Sequence, residues 1–201
     1  MLMLAYDFCQ VLVWNHPDAL GIDPVKTLEH ETGEDALGLL FITLAVTPVR
    51  RLFSINRVQT VRRMLGVWSF VYALVHVLVY LTTDRACISL ATCQYGEIWT
   101  DLLKRKFIFV GMVAFTILLA LAITSTGGWV RRLKKNWLRL HRLVYVAGVA
   151  GVVHYIWGQK SDISEPLKWA GYLVVLLGIR VYLSRKKAQG ARPKARVSAL
   201  A

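Results

Sequence analysis

Apolar residues in this chain fall in long, nearly unbroken runs, and the charged residues are swept into the short stretches between them. Such runs occupy residues 36–53, 64–82, 107–124, 138–157 and 166–182. Each approaches the roughly 20 residues with which a helix crosses the hydrocarbon of a bilayer. A sixth run, 2–14, has only 13 residues. It is a short or thinly inserted span, and it lacks the basic start and small-residue cleavage site of a secretory signal. The pattern predicts an all-α integral membrane protein of about six transmembrane helices in one bundle, over residues 1–184. A tail, 185–201, is basic, carries Pro193, and is expected to be irregular and close to anionic headgroups.

Composition agrees: 56% of the residues are hydrophobic while 18% are charged, which is possible only if the two are segregated. The net charge of +13 would suit a nucleic-acid partner, but its placement excludes one. Segments 50–63, 127–142 and 180–196 hold 18 of the 25 Lys and Arg and none of the 12 Asp and Glu. They alternate with acid-rich segments such as 15–35, which has six acids and one Lys. By the positive-inside rule the basic segments are cytoplasmic, so both termini lie inside and three loops outside. Lys104, Arg105 and Lys106 run against this rule at the outer start of the fourth helix. They are either a snorkelling interface cluster or a docking rim for an acidic partner.

Candidate chemistry lies in the histidines. His16 and His30 fall in the outer loop, where a solvated ring is the default. His76, in VYALVHVLVY, and His154, in AGVAGVVHYIW, sit inside apolar runs, where a polar ring is costly without a partner. Positions three and seven before each share its helix face. These are Ala73 and Ser69 for His76, and Gly151 and Ala147 for His154. Small side chains there leave either clearance for a flat macrocycle or a surface for close helix packing. His76 lies 12 residues beyond Met64 and His154 lies 16 beyond Leu138, so they stand about 18 and 24 Å from the inner ends of parallel helices. Two such imidazoles, on helices three and five, can hold one haem iron from opposite sides. Zinc or copper would call for further ligands.

His141, in WLRLHRLVY, is 13 residues before His154, a rise of about 20 Å, which suits a second haem stacked below the first. On an ideal helix, however, the two rings point about 140° apart. Gly148 and Gly151 offer places to bend, and the matching position on the other helix is Arg63. His141 is therefore either a ligand of a second haem or a propionate-binding or interfacial residue.

The stretches LGIDPVKTLEHETG (20–33), TPVRRL (47–52), RRMLGVWSFVYALVHVLVY (62–80), ALAITST (120–126) and LHRLVYVAGVAGVVHYIW (140–157) resemble, in order, the ferric-reductase-like transmembrane superfamily. The resemblance is strongest to the haem-binding membrane subunits of bacterial periplasmic protein-methionine-sulfoxide reductase systems. It implies a multi-pass b-type cytochrome of the bacterial inner membrane with one haem or two, whose haem histidines fall on His76, His141 and His154. It further implies FMN as a cofactor and electrons drawn from the quinone pool or a cytoplasmic flavin reductase. The acceptor would be a periplasmic molybdopterin subunit that reduces methionine sulfoxide. No glycine-rich phosphate loop marks a flavin or dinucleotide site. Two other readings stand beside this one: a stand-alone ferric or cupric reductase, and a small transporter or structural membrane protein whose histidines only pack. Cys87 and Cys93, in CISLATC of an outer loop, are either a disulfide or two free thiols.

Overall fold

In the computed structural model the described residues are 24–55, 57–83, 87, 93–159 and 162–197, and the short first run, 2–14, lies outside them. The described regular elements are all helical: α1 Pro24–Phe53, α2 Val58–Thr83, α3 Tyr95–Lys104, α4 Lys106–Ile123, α5 Gly127–Leu133, α6 Lys135–Leu140, α7 Val144–Gly158 and α8 Ser164–Val197. Among the described residues, four helical segments are long and apolar enough to cross a membrane: Val25–Phe53, Val61–Thr83, Lys106–Ile123 and Ser164–Lys186.

The largest departure from the sequence expectation is at α1. The acid-rich stretch expected as loop is helical from Pro24, a residue suited to the first turn because its missing N–H would be unpaired there anyway. The helix is then 30 residues, about 45 Å, so its acidic third extends beyond the hydrocarbon. α1 is also the hub of the core, burying Ala36, Leu37, Leu40, Phe41 and Leu44. It packs on α2, α7 and α8, while α4 packs chiefly on α7. The described residues therefore form two helical hairpins, α1–α2 and α4–α7, with α8 laid against α1 and α7. Large apolar side chains such as Ile42, Val174 and Val175 point outward, as they do where the surroundings are lipid.

The expected helix 138–157 is interrupted. A 3₁₀ turn, His141–Leu143, joins α6 to α7. At about 120° per residue in place of about 100°, three such residues add about 60° of rotation. The offset between His141 and His154 thereby falls from about 140° to about 80°. The distortion falls at His141 itself, while Gly148 and Gly151 lie within the regular helix α7. Two elements have no apolar run to announce them, α3 and α5, both amid charged residues. At the other end of the chain α8 continues to Val197, so 185–197 is helical where an irregular tail is expected. Lys, Arg, Ala and Gln, which favour helix, make up most of that stretch.

One end of the bundle carries Arg50, Arg62 and Arg180 and is here called the basic end; the other, the acidic end, carries the start of α1 and all of α3. At the acidic end Cys87 and Cys93 form a disulfide just before α3. Asp101 of α3 is buried, accepts a hydrogen bond from Tyr80 of α2 at 2.7 Å, and pairs with Arg105 at 3.1 Å. These bonds fix α3 across the gap between the end of α2 and the start of α4.

Candidate haem site

His76 projects from α2 and His154 from α7. The two rings approach one another edge-on, with centroids 6.1 Å apart and planes crossed at 88°. Their helices do not pack closely on each other; α1 and α4 flank the gap.

Each ring is held by the other helix of its own hairpin. His76 Nδ1 lies 2.8 Å from the Glu29 carbonyl oxygen of α1. His154 Nδ1 lies 2.7 Å from the Phe107 carbonyl oxygen of α4. A carbonyl can only accept, so each Nδ1 must carry the proton and donate it. Nε2 is then the unprotonated nitrogen in both rings, the form in which imidazole binds a metal. Carbonyl-bound Nδ1–H is also the usual support of a ligating histidine. The spacing fits as well. Two metal–nitrogen bonds of about 2 Å, each extended by roughly 1 Å from nitrogen to ring centre, separate the centroids of a bis-imidazole pair by about 6 Å. The residues present fit a haem iron that the two imidazoles would hold between them.

His141 is placed elsewhere. Its ring stacks on Trp137 with centroids 3.9 Å apart, and its Nδ1 lies 3.2 Å from the Trp137 carbonyl oxygen. Its Nε2 is buried and has no hydrogen-bond partner. The structure brings His76 and His154 together and does not bring His141 to either. His30, expected in a loop, is on α1, where Gln159 Nε2 approaches its Nε2 at 2.7 Å and Glu34 lies 3.6 Å from its Nδ1. Tyr155, next to His154, donates its hydroxyl to Glu34. His16 is outside the described residues.

Of the small residues before the two histidines, Ser69 and Gly151 meet α1. Ser69 is fully buried and donates to the Ala36 carbonyl at 2.8 Å. A Cβ built on Gly151 would stand 3.2 Å from Leu37 Cδ1. Ala147 is in the core, and Ala73 packs against it. Sequence reasoning missed Glu29 and Phe107, because each acts through its backbone. One trace of them is in the numbering: both carbonyls lie 47 residues before the histidine they hold.

Residues 32–152 match the family described as ferric reductase like transmembrane component. The protein-methionine-sulfoxide reductase heme-binding subunit MsrQ of Xanthomonas axonopodis pv. citri is 48% identical over 197 residues, 98% of this chain and 85% of that protein. The protein of the same name from Xanthomonas oryzae pv. oryzae is 48% identical over 198 residues, 98% of this chain and 86% of its own. The one from Rhodospirillum rubrum is 42% identical over 176 residues, 87% of this chain and 82% of its own. This chain is a membrane protein that belongs to the ferric-reductase-like transmembrane family and, within it, to the group of MsrQ heme-binding subunits.

Proposed function

We propose that this chain is the membrane haem-binding subunit of a protein-methionine-sulfoxide reductase, in which His76 and His154 would hold one b-type haem. The observation that carries the reading is the approach of two Nδ1-bonded imidazoles to 6.1 Å between centroids. Bound there, haem would exchange single electrons between its ferric and ferrous forms. Held by a histidine on each side, such a haem would offer no open position for substrate, so the sulfoxide chemistry would belong to a partner. Ser69 and Gly151 hold α1 close behind the pair, and Ala147 lies in the core with Ala73 packed against it. The charge pattern supports a cytoplasmic basic end and a periplasmic acidic end in the inner membrane, with α1, α2, α4, α7 and α8 as crossings among the described residues. Electrons then enter from the quinone pool or a cytoplasmic flavin reductase, the latter being where FMN would enter. They leave near α3 and the start of α4 to a periplasmic molybdopterin subunit.

The test is haem per chain, with oxidised and reduced visible spectra, on protein purified in mild detergent with haem supplied. One haem, six-coordinate and low-spin, lost in His76→Ala and His154→Ala but kept in His141→Ala, is expected. Two haems would bring His141 in as a ligand. A colourless protein would end the electron-transfer reading.

A further inference from the structure

The two histidine clamps are copies of one another. Glu29, Gly33 and His76 of the first hairpin correspond to Phe107, Gly111 and His154 of the second, each number differing by 78. In both, the accepting carbonyl is four residues before a glycine on the same helix. That is one rung of an α-helix, where the carbonyl of residue i already takes the N–H of residue i+4. The histidine supplies a second donor to an oxygen with two lone pairs. Side chains on a helix tilt toward its N-terminus, so a Cβ at i+4 leans over the carbonyl of i. Glycine at that position uncovers it.

The distances show how little room there is. A Cβ built on Gly111 would stand 2.6 Å from His154 Nδ1 and 2.8 Å from Cε1. On Gly33 it would stand 3.1 Å from His76 Nδ1 and 3.2 Å from Cε1. The first cannot be accommodated without moving the ring; the second requires a shift of a few tenths of an ångström. Each imidazole lies on the bare backbone of its neighbour, and the two backbones set the rings at 88°.

We propose that Gly33 and Gly111 are positioning residues, which fix the tautomer and the crossed planes of the two haem-ligating rings. This rests on the haem reading above. Crossed axial imidazoles leave the two ferric dπ orbitals that bind them nearly equal in energy and give a strongly anisotropic low-spin EPR signal. Parallel rings split those orbitals and give a rhombic one. A merely structural glycine would not move this readout, and alanine is the better helix former.

The experiment compares full-length parent, Gly33→Ala, Gly111→Ala and Gly148→Ala by haem retention and by EPR of the ferric form. Gly148 is the control, buried on α7 with only ordinary contacts for an added Cβ, at 3.6 Å to Leu173 and 3.7 Å to Leu44. Loss of support for a ligating histidine typically weakens metal binding about 10–100-fold. Gly111→Ala should lose haem on that scale, with the remaining haem shifted toward the rhombic signal. Gly33→Ala should move the same way by less, and Gly148→Ala should match the parent. If Gly111→Ala disturbs the fold itself, judged by gel filtration and helicity, the EPR of Gly33→Ala decides. Both glycine variants matching the parent in retention and signal would overturn the proposal while leaving the haem reading intact. A parent that binds no haem would overturn both.

Discussion

Removing the Tyr80 hydroxyl tests whether the acidic end is a rigid frame. Tyr80 donates to one oxygen of Asp101 at 2.7 Å, and Arg105 Nε approaches the other at 3.1 Å. The Asp101 side chain is only 10% exposed, whereas that of Arg105 is 49% exposed. The hydroxyl bond to a buried carboxylate should therefore contribute about 1.5–3 kcal/mol. The half-exposed ion pair should contribute less than about 1 kcal/mol. Tyr80→Phe is then expected to cost about 2 kcal/mol, and Asp101→Ala somewhat more. Once Asp101 is alanine, Tyr80→Phe should cost little, so the cycle yields a coupling of about 1.5–2 kcal/mol. In a chain of 201 residues, at roughly 2–4 °C per kcal/mol, Tyr80→Phe should lower the midpoint by about 4–8 °C. Thermal loss of the soluble detergent complex, followed by gel filtration, measures it. Arg105 directly precedes α4, whose second residue, Phe107, holds His154, so the haem absorbance should be lost at the same lowered temperature. Strict additivity in the double variant would refute the frame.

The Cys87–Cys93 bond closes a short loop, with a sequence separation of 6. By the loop-closure relation Cys87→Ser with Cys93→Ser should cost about 2.4 kcal/mol, and a reductant should lower the parent's thermal midpoint alone. After reduction these thiols should react with a membrane-impermeant maleimide from the periplasmic side; labelling only from the cytoplasmic side would reverse the orientation. Ser69→Ala removes an interhelical bond and should cost about 0.6 and at most about 1.7 kcal/mol in mixed-micelle unfolding. Gly151→Val crowds Leu37, and overpacking of this kind costs about 1–3 kcal/mol. It should raise the high-spin fraction without rotating the rings. The Ser164 amide holds the Asp162 carboxyl below the usual carboxylate range. That support for the start of α8 should be full above the ordinary Asp range and lost as pH falls through the lowered value, seen as faster exchange of the Ser164 amide.

Much of the bundle could be read from the sequence because lipid imposes a coarse rule: apolar runs must be helices, and a polar ring within one must have a partner. That rule located the spans around His76 and His154 and the pair itself. It said nothing of α3, whose ten residues are amphipathic, or of the first third of α1, whose acids look like a loop until Pro24 and α2 make it a helix. The small positions before each histidine were legible as small. Which neighbour they meet was not, and in the structure Ser69 and Gly151 meet α1. At the 3₁₀ turn of His141, Trp137 donates its Nε1–H to the Thr124 carbonyl at 2.9 Å while its ring stacks on His141. No local propensity announces that contact.

The least legible residues are those that orient the rings, because a carbonyl and a missing Cβ leave no chemical label. They also divide the work of the site. Each ring plane is set inside its own hairpin, by Glu29 and Gly33 for His76 and by Phe107 and Gly111 for His154. The separation of the rings is set between hairpins, where α1 packs on α7 through contacts such as Gly151 on Leu37. Orientation and distance therefore answer to different substitutions. A change at Gly111 should alter the EPR anisotropy first, and a change at Gly151 should alter coordination first. A packed pair of histidines with no metal between them requires no such division, since an edge-to-face contact tolerates a range of ring angles. Matching carbonyl–glycine rungs on both hairpins instead hold both Nδ1 atoms as donors, which leaves each Nε2 unprotonated, as the proposed haem site requires.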